Sequence, residues 1–158
     1  MVAMRSNRFR FSRWMISHLS FFGPFIGAGI RVKLLEPHVF RVAMKLRWFN
    51  RNAVGTHYGG SLYSMCDPFF MLILIEKLGR DYIVWDKRAT IHFRRPGRGK
   101  MTAEFSIPDQ RVDVIREQAD RGEKVEPLFK AQVLDEEGMV VAIVEKLLYI
   151  RRQDAGEK

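Results

Sequence analysis

Two-residue alternation marks both ends of the chain, and a long, almost unbroken apolar run lies between them. Residues 38–48 place Phe40, Val42, Met44, Leu46 and Trp48 at every second position, the period of a strand with one buried face. Residues 30–36 form a shorter run ahead of it, with Pro37 between the two. Residues 58–78 carry Leu62, Met65, Phe69, Phe70, Leu72, Ile73 and Ile75 around nearly every side of a helical wheel, and Gly79 is placed to end that helix. A helix without a polar face belongs in a core or at a subunit interface. Residues 82–95 alternate again, with Ile83, Trp85, Ala89, Ile91 and Phe93 on one side and Arg88, Thr90, His92 and Arg94 on the other. Pro96-Gly97 turns the chain into residues 100–107, which alternate through Met101, Ala103 and Phe105. A short charged helix follows over about 110–120, between Pro108-Asp109 and Gly122. Strands over 125–134 and 139–150 then close a hairpin through residues 135–138. The order β-β-α-β-β-α-β-β predicts an α+β architecture, an antiparallel sheet wrapped around one long buried helix. The open edges of such a sheet favour dimerisation.

Composition narrows the setting. With 158 residues, 47% of them apolar, the expected organisation is one compact domain over 1–158. The single cysteine, Cys66, rules out an intramolecular disulfide and a Cys-based metal site, and its apolar neighbours make it a core thiol. Arg5, Arg8, Arg10 and Arg13 precede an apolar stretch over 14–30 that Ser17, His18, Ser20, Gly23 and Pro24 interrupt. That stretch is too short and broken to span a bilayer. It reads instead as an amphipathic helix over about 11–22, ended by Gly23-Pro24, with peripheral lipid contact as the weaker alternative. The expectation is a cytoplasmic protein without an integral membrane segment and with a disordered tail after 152.

A net charge of +9 favours anionic partners, among which charge alone does not choose. Nucleic acid is disfavoured, because the chain has neither an RNA-binding aromatic signature nor an arginine-rich recognition helix. Four scattered histidines give no metal site, and no cofactor is expected.

The chemistry concentrates between Asn52 and Asp67. Gly59 and Gly60 allow close backbone approach, and the N–H groups of a helix start point at whatever oxygen sits there. Asp67 lies seven residues past Gly60, on nearly the same helix face but about 10 Å along the axis. One copy therefore cannot bring both ends to one carbonyl. Two copies lying antiparallel across a two-fold axis can, with Asp67 of one facing the glycine amides of the other. The amides would then polarise an acyl carbonyl oxygen, and Asp67 would act as general base or as nucleophile. Against this stands a purely structural role, in which Asp67 is an N-cap followed by proline at the first helical position. His57 either donates to a carbonyl or bonds nearby backbone. Asn52 reads as a loop brace that also borders the substrate, with Tyr58 and Ser64 beside it. Ser61 and Ser64 lack a visible base, which disfavours a serine triad. Arg94, Arg95, Arg98 and Lys100, set around Gly97 and Gly99, form a phosphate-binding candidate. The competing reading is an exposed turn whose cations guard strand ends.

The spacing Asn52, Gly55, Gly59-Gly60, Asp67 resembles that of hot-dog-fold thioesterases of the phenylacetyl-CoA type, and more closely an uncharacterised branch of that superfamily, over about residues 14–150. The resemblance implies hydrolysis of a fatty or aromatic acyl-CoA, or of an acyl-carrier thioester, by a homodimer or tetramer. It assigns the catalytic positions to Asp67, Gly59, Gly60 and His57. The chain departs from the pattern at Tyr58, which stands directly before the glycine pair where such thioesterases carry histidine. His57 is one step back, a rotation of about 100° on a helix start. A non-catalytic acyl-binding protein and an enoyl-thioester hydratase using His57 with Asp67 are the alternatives.

Overall fold

The computed structural model describes residues 18–153. Six strands, β1 (Ile30–Glu36), β2 (Val39–Lys45), β3 (Tyr82–Phe93), β4 (Lys100–Phe105), β5 (Leu128–Leu134) and β6 (Val140–Arg152), form one antiparallel sheet in the order β1-β2-β4-β5-β6-β3. The helices are α1 (Gly23–Ala28), α2 (Gly59–Ser64), α3 (Phe69–Leu78) and α4 (Asp109–Asp120). The sheet wraps α3, whose Phe69, Phe70, Leu72, Ile73, Leu74, Ile75 and Leu78 are all buried. Phe69 stacks on Phe105 at 4.7 Å between ring centroids and also meets Phe40 and Phe25, so one aromatic knot ties β2, β4, α1 and α3 together. Gly79, at φ 92°, ends α3 as expected. Among the described residues no helix is long and apolar enough to cross a membrane.

Four expectations need correction. The long central helix is two helices, broken over residues 65–68. Pro68 has no N–H to offer Ser64, and its ring crowds the preceding turn. The bonds accordingly shorten to the three-residue spacing, from the Cys66 N–H to the Tyr63 carbonyl and from the Asp67 N–H to the Ser64 carbonyl, before α3 starts afresh. Near the N-terminus, Gly23-Pro24 opens α1 rather than ending a helix, because proline suits the first helical turn. Residues 18–22 hold a 3-10 turn at Leu19–Phe21, and the rest of the expected amphipathic helix lies outside the described residues, as does the tail from 154.

β2 stops at Lys45, which leaves Trp48 outside the strand and 81% exposed instead of on a buried face. Asn50 causes the stop. It is buried, its Oδ1 accepts from the Arg47 N–H at 2.7 Å, and its amide donates to the carbonyls of Lys45 and Ala28. Finally, a bulge between Asp86 and Arg88 exchanges the faces of β3 part-way along. Val84 and Asp86 share the inner face with Ala89, Ile91 and Phe93, opposite the inward positions of β6. Ile83 and Trp85 share the outer face with Arg88, Thr90 and His92. The strictly alternating pattern missed this one-residue insertion. β3 is also an edge of the sheet, and Ala89 and Phe93 remain exposed there.

Candidate active site

The break between α2 and α3 delivers Asp67 to a charged cluster. Its Oδ1 accepts from the Tyr63 hydroxyl at 2.5 Å and from Lys146 Nζ at 2.8 Å. Lys146 also reaches Asp86 Oδ2 at 3.0 Å and the Tyr63 oxygen at 3.2 Å. Lys146 is fully buried at an inward position of β6, whereas the Asp67 side chain is 46% exposed. A buried ammonium is tolerated only with hydrogen-bonded counter-charges, and here it has two. Burial alone would pull the Lys146 pKa down. The bonds to Asp67, Asp86 and Tyr63 more than offset that and hold it above the ordinary lysine value. Burial raises the Asp86 pKa, with Lys146 opposing and Asp67 adding to the rise, and Asp86 Oδ1 is buried without a partner. Burial likewise raises the Tyr63 hydroxyl. Asp67 Oδ2 has no hydrogen-bond partner among the described residues, so one oxygen is anchored and the other is unengaged.

Helix capping does not account for Asp67. Pro68 occupies the cap position of α3, and no side-chain cap bond is made there. Cys66, next in sequence, is buried, and burial pushes its thiol up to about 12, the inert core thiol the sequence indicates.

The glycine pair starts α2, at the opposite end of that helix from Asp67. The first helical bonds run from the Ser61 and Leu62 N–H groups to the Tyr58 carbonyl, which leaves the Gly59 and Gly60 N–H groups ahead of the helical ladder. Neither glycine needs positive φ. Both are glycine because rings lie on them: a Cβ on Gly59 would stand 2.8 Å from Phe93, and one on Gly60 would stand 2.4 Å from Tyr58.

The loop behind the pair is braced as the sequence suggests. Asn52 Oδ1 accepts from the Val54 and Thr56 N–H groups, and its amide reaches Thr56 Oγ1 at 2.9 Å. His57 is buried against the 96–99 turn. Its N–H donates to the Gly97 carbonyl and its Nε2 to the Gly99 carbonyl at 3.0 Å. Burial lowers its pKa, with the Gly99 bond opposing, so the ring is neutral. Donation from Nε2 makes Nδ1 a bare acceptor, and that atom is buried without a partner. Ser64 donates to the Gly60 carbonyl at 2.8 Å rather than to Asp67. Arg94, Arg95 and Arg98 are exposed and make no ion pair among the described residues. Lys100 starts β4 and opens instead onto a cleft beside α1. The structure thus brings Asp67 together with three residues the sequence reading missed, Tyr63, Asp86 and Lys146. The inward parity of Val144, Lys146, Leu148 and Ile150 was the available signal, a lysine in a core register.

A family model described as a domain of unknown function, DUF4442, matches residues 8–150. The chain belongs to that family. Among solved structures, this DUF4442 protein superposes on a Pseudomonas aeruginosa protein of unknown function described as a "Probable Thioesterase", at 25% identity and TM-score 0.80, covering 90% of this chain and 97% of that one. A thioesterase of Haemophilus influenzae matches at 13% identity and TM-score 0.66, over 93% of this chain and 96% of that one. The PaaI protein of the Escherichia coli phenylacetic acid degradation operon matches at 18% identity and TM-score 0.61, over 89% and 93%. The search of curated proteins found no match. The fold is the hot-dog fold of these thioesterases.

Proposed function

We propose that this DUF4442 protein hydrolyses an acyl thioester, with CoA or a carrier protein as the leaving thiol and a fatty or aromatic acyl group. The observation that carries the reading is the state of Asp67: one oxygen fixed by Tyr63 and Lys146, the other unengaged, on a side chain that is neither buried nor used as a cap. Asp67 Oδ2 takes a proton from water as the water oxygen attacks the thioester carbon. The oxyanion is met by the Gly59 and Gly60 N–H groups of a second copy, because Asp67 and the pair lie at opposite ends of α2. Collapse breaks the C–S bond, and the thiolate recovers the proton from Asp67. Lys146 supplies fixed positive charge beneath the base, and Asn52 and the His57 clamp hold the glycine end in place. Arg94, Arg95 and Arg98 offer unpaired cations for the phosphates of a CoA substrate.

A homodimer follows from the same geometry and from the uncovered edge strand β3, and a tetramer is compatible with it. The Ser64 hydroxyl is taken up by the Gly60 carbonyl rather than offered to substrate. The neutral, backbone-bound His57 favours hydrolysis over a hydratase pairing with Asp67. One observation favours a second reading: the Tyr58 ring lies over Gly60, where it would screen the amide tip, as in a protein that binds acyl groups without turning them over. The two separate in a thioester panel across acyl lengths run with wild type and Asp67→Asn. Hydrolysis that falls at least a hundredfold in the variant, with an unchanged melting temperature, supports the enzyme. Retention of acyl ligand without turnover in the wild type supports the binder, and full activity in Asp67→Asn defeats the role given to this carboxylate.

A further inference from the structure

A cleft of about 420 Å³ opens between the C-terminal end of α1 and the outer face of the β1-β2-β4 sheet. Four cations line it, Arg31, Lys45, Arg47 and Lys100, and no acid does. None of the four makes a side-chain ion pair among the described residues. Lys45 and Lys100 are direct cross-strand partners in the β2–β4 register, an arrangement that costs stability. The Glu136 carboxylate accepts from the Lys100 backbone N–H at 3.3 Å but pairs with none of the four side chains. Like charges set opposite one another in a cleft lined by no acid therefore point to an anion from outside.

The cleft has an apolar rim. Ile26 and Phe49 line it, 53% and 44% exposed, and the Phe49 ring lies against Gly29 at the end of α1. Phe22, the residue ahead of α1, precedes Ile26 by four positions, and Trp48 packs edge-on against Phe49 at 5.6 Å. Trp48 is held out by an exposed turn that the buried Asn50 pins through both ends of its side chain, so its 81% exposure is a built feature of the loop.

We infer that this face docks on an anionic phospholipid surface, the four cations taking headgroup phosphates while Trp48, Phe49, Ile26 and Phe22 enter the interfacial layer. Aromatic side chains at headgroup depth beside lysine and arginine are the composition that interface selects. An acidic protein would satisfy the cations but would leave protruding single rings on a loop tip and a short helix without a matching surface. The inference does not rest on the thioester reading.

Cosedimentation with vesicles tests it. The full chain should bind phosphatidylglycerol–phosphatidylcholine vesicles at low salt, lose them at high salt, and ignore pure phosphatidylcholine. Arg31→Gln/Lys45→Gln/Lys100→Gln should weaken binding about a hundredfold, at roughly fivefold per cation. Trp48→Ala should weaken vesicle binding about tenfold while leaving heparin retention unchanged, because only the lipid contact uses the ring. Circular dichroism establishes that both variants fold. Full binding by the triple variant would overturn the proposal. So would vesicle binding that is indifferent to Trp48, or inorganic pyrophosphate bound at the cleft by a protein that ignores vesicles. If vesicles are ignored and Trp48→Ala abolishes self-association, the face belongs to a second copy, and the proposal again fails.

Discussion

Lys146 is the residue on which the site turns. Its ammonium sits between the carboxyl groups of Asp67 and Asp86, so two acids share one buried cation. Lys146→Met strands Asp67 and Asp86 without their counter-ion. Both are part-exposed, which keeps the cost near the lower end for a broken buried pair, about 3 kcal/mol. The melting temperature should fall by roughly 10 °C, read by calorimetry. Asp86 behaves in the opposite sense. Its folded-state pKa is raised above the ordinary 3.8, so the folded protein binds this proton more tightly than the unfolded chain does. The resulting stability is present below 3.8 and is lost as pH rises through the raised value. Asp86→Asn should therefore leave the melting temperature at pH 7 unchanged or higher and flatten this part of the pH–stability profile. A marked loss of stability at pH 7 would contradict the view that burial penalises this carboxylate. These residues were hard to read in sequence because a lysine on a strand is ordinarily a surface residue. Only the inward parity of β6 betrays Lys146, and the bulge hides Asp86.

At the scale of the elements, the sequence pattern located every strand and the charged helix to within a few residues, because each has a clean period and a glycine, proline or acidic turn at its end. It failed where a single residue breaks the period. At Pro68 a continuous helix competed with a fresh helix start behind Asp67, and the all-round hydrophobicity of the run could not choose between them. The bulge between Asp86 and Arg88 moves Val84 and Asp86 to the inner face of β3 in place of Ile83 and Trp85. Asn50, one polar residue turned inward, ends β2 before its alternation does. The glycine pair was legible as a special position but for another reason: it leaves room for two rings as well as exposing amides. Gly60→Ala tests which matters. Alanine gains about 1 kcal/mol of helix propensity over glycine, and the exposed Tyr58 ring can swing aside. Stability should hold or rise slightly, while thioester turnover falls at least tenfold as the methyl group and displaced ring crowd the amide tip. Unchanged turnover would remove Gly60 from the site.

For the whole molecule, the net charge of +9 suits anionic partners, and under the proposed function the edge strand β3 serves a second copy. Sedimentation equilibrium should give twice the 18.5 kDa chain mass or a multiple of that. The sequence alone could ask for a partner, since the glycine pair and Asp67 are too far apart on one helix. Which copy supplies which end is a question for mixed dimers. Asp67→Asn and Gly60→Val should each be nearly inactive in thioester hydrolysis. Unfolded together in equal amounts and refolded, half the dimers are mixed, and each mixed dimer holds one intact site, so about a quarter of wild-type activity should return. A mixture that forms mixed dimers yet stays as inactive as its parents would contradict a site shared across the two-fold axis.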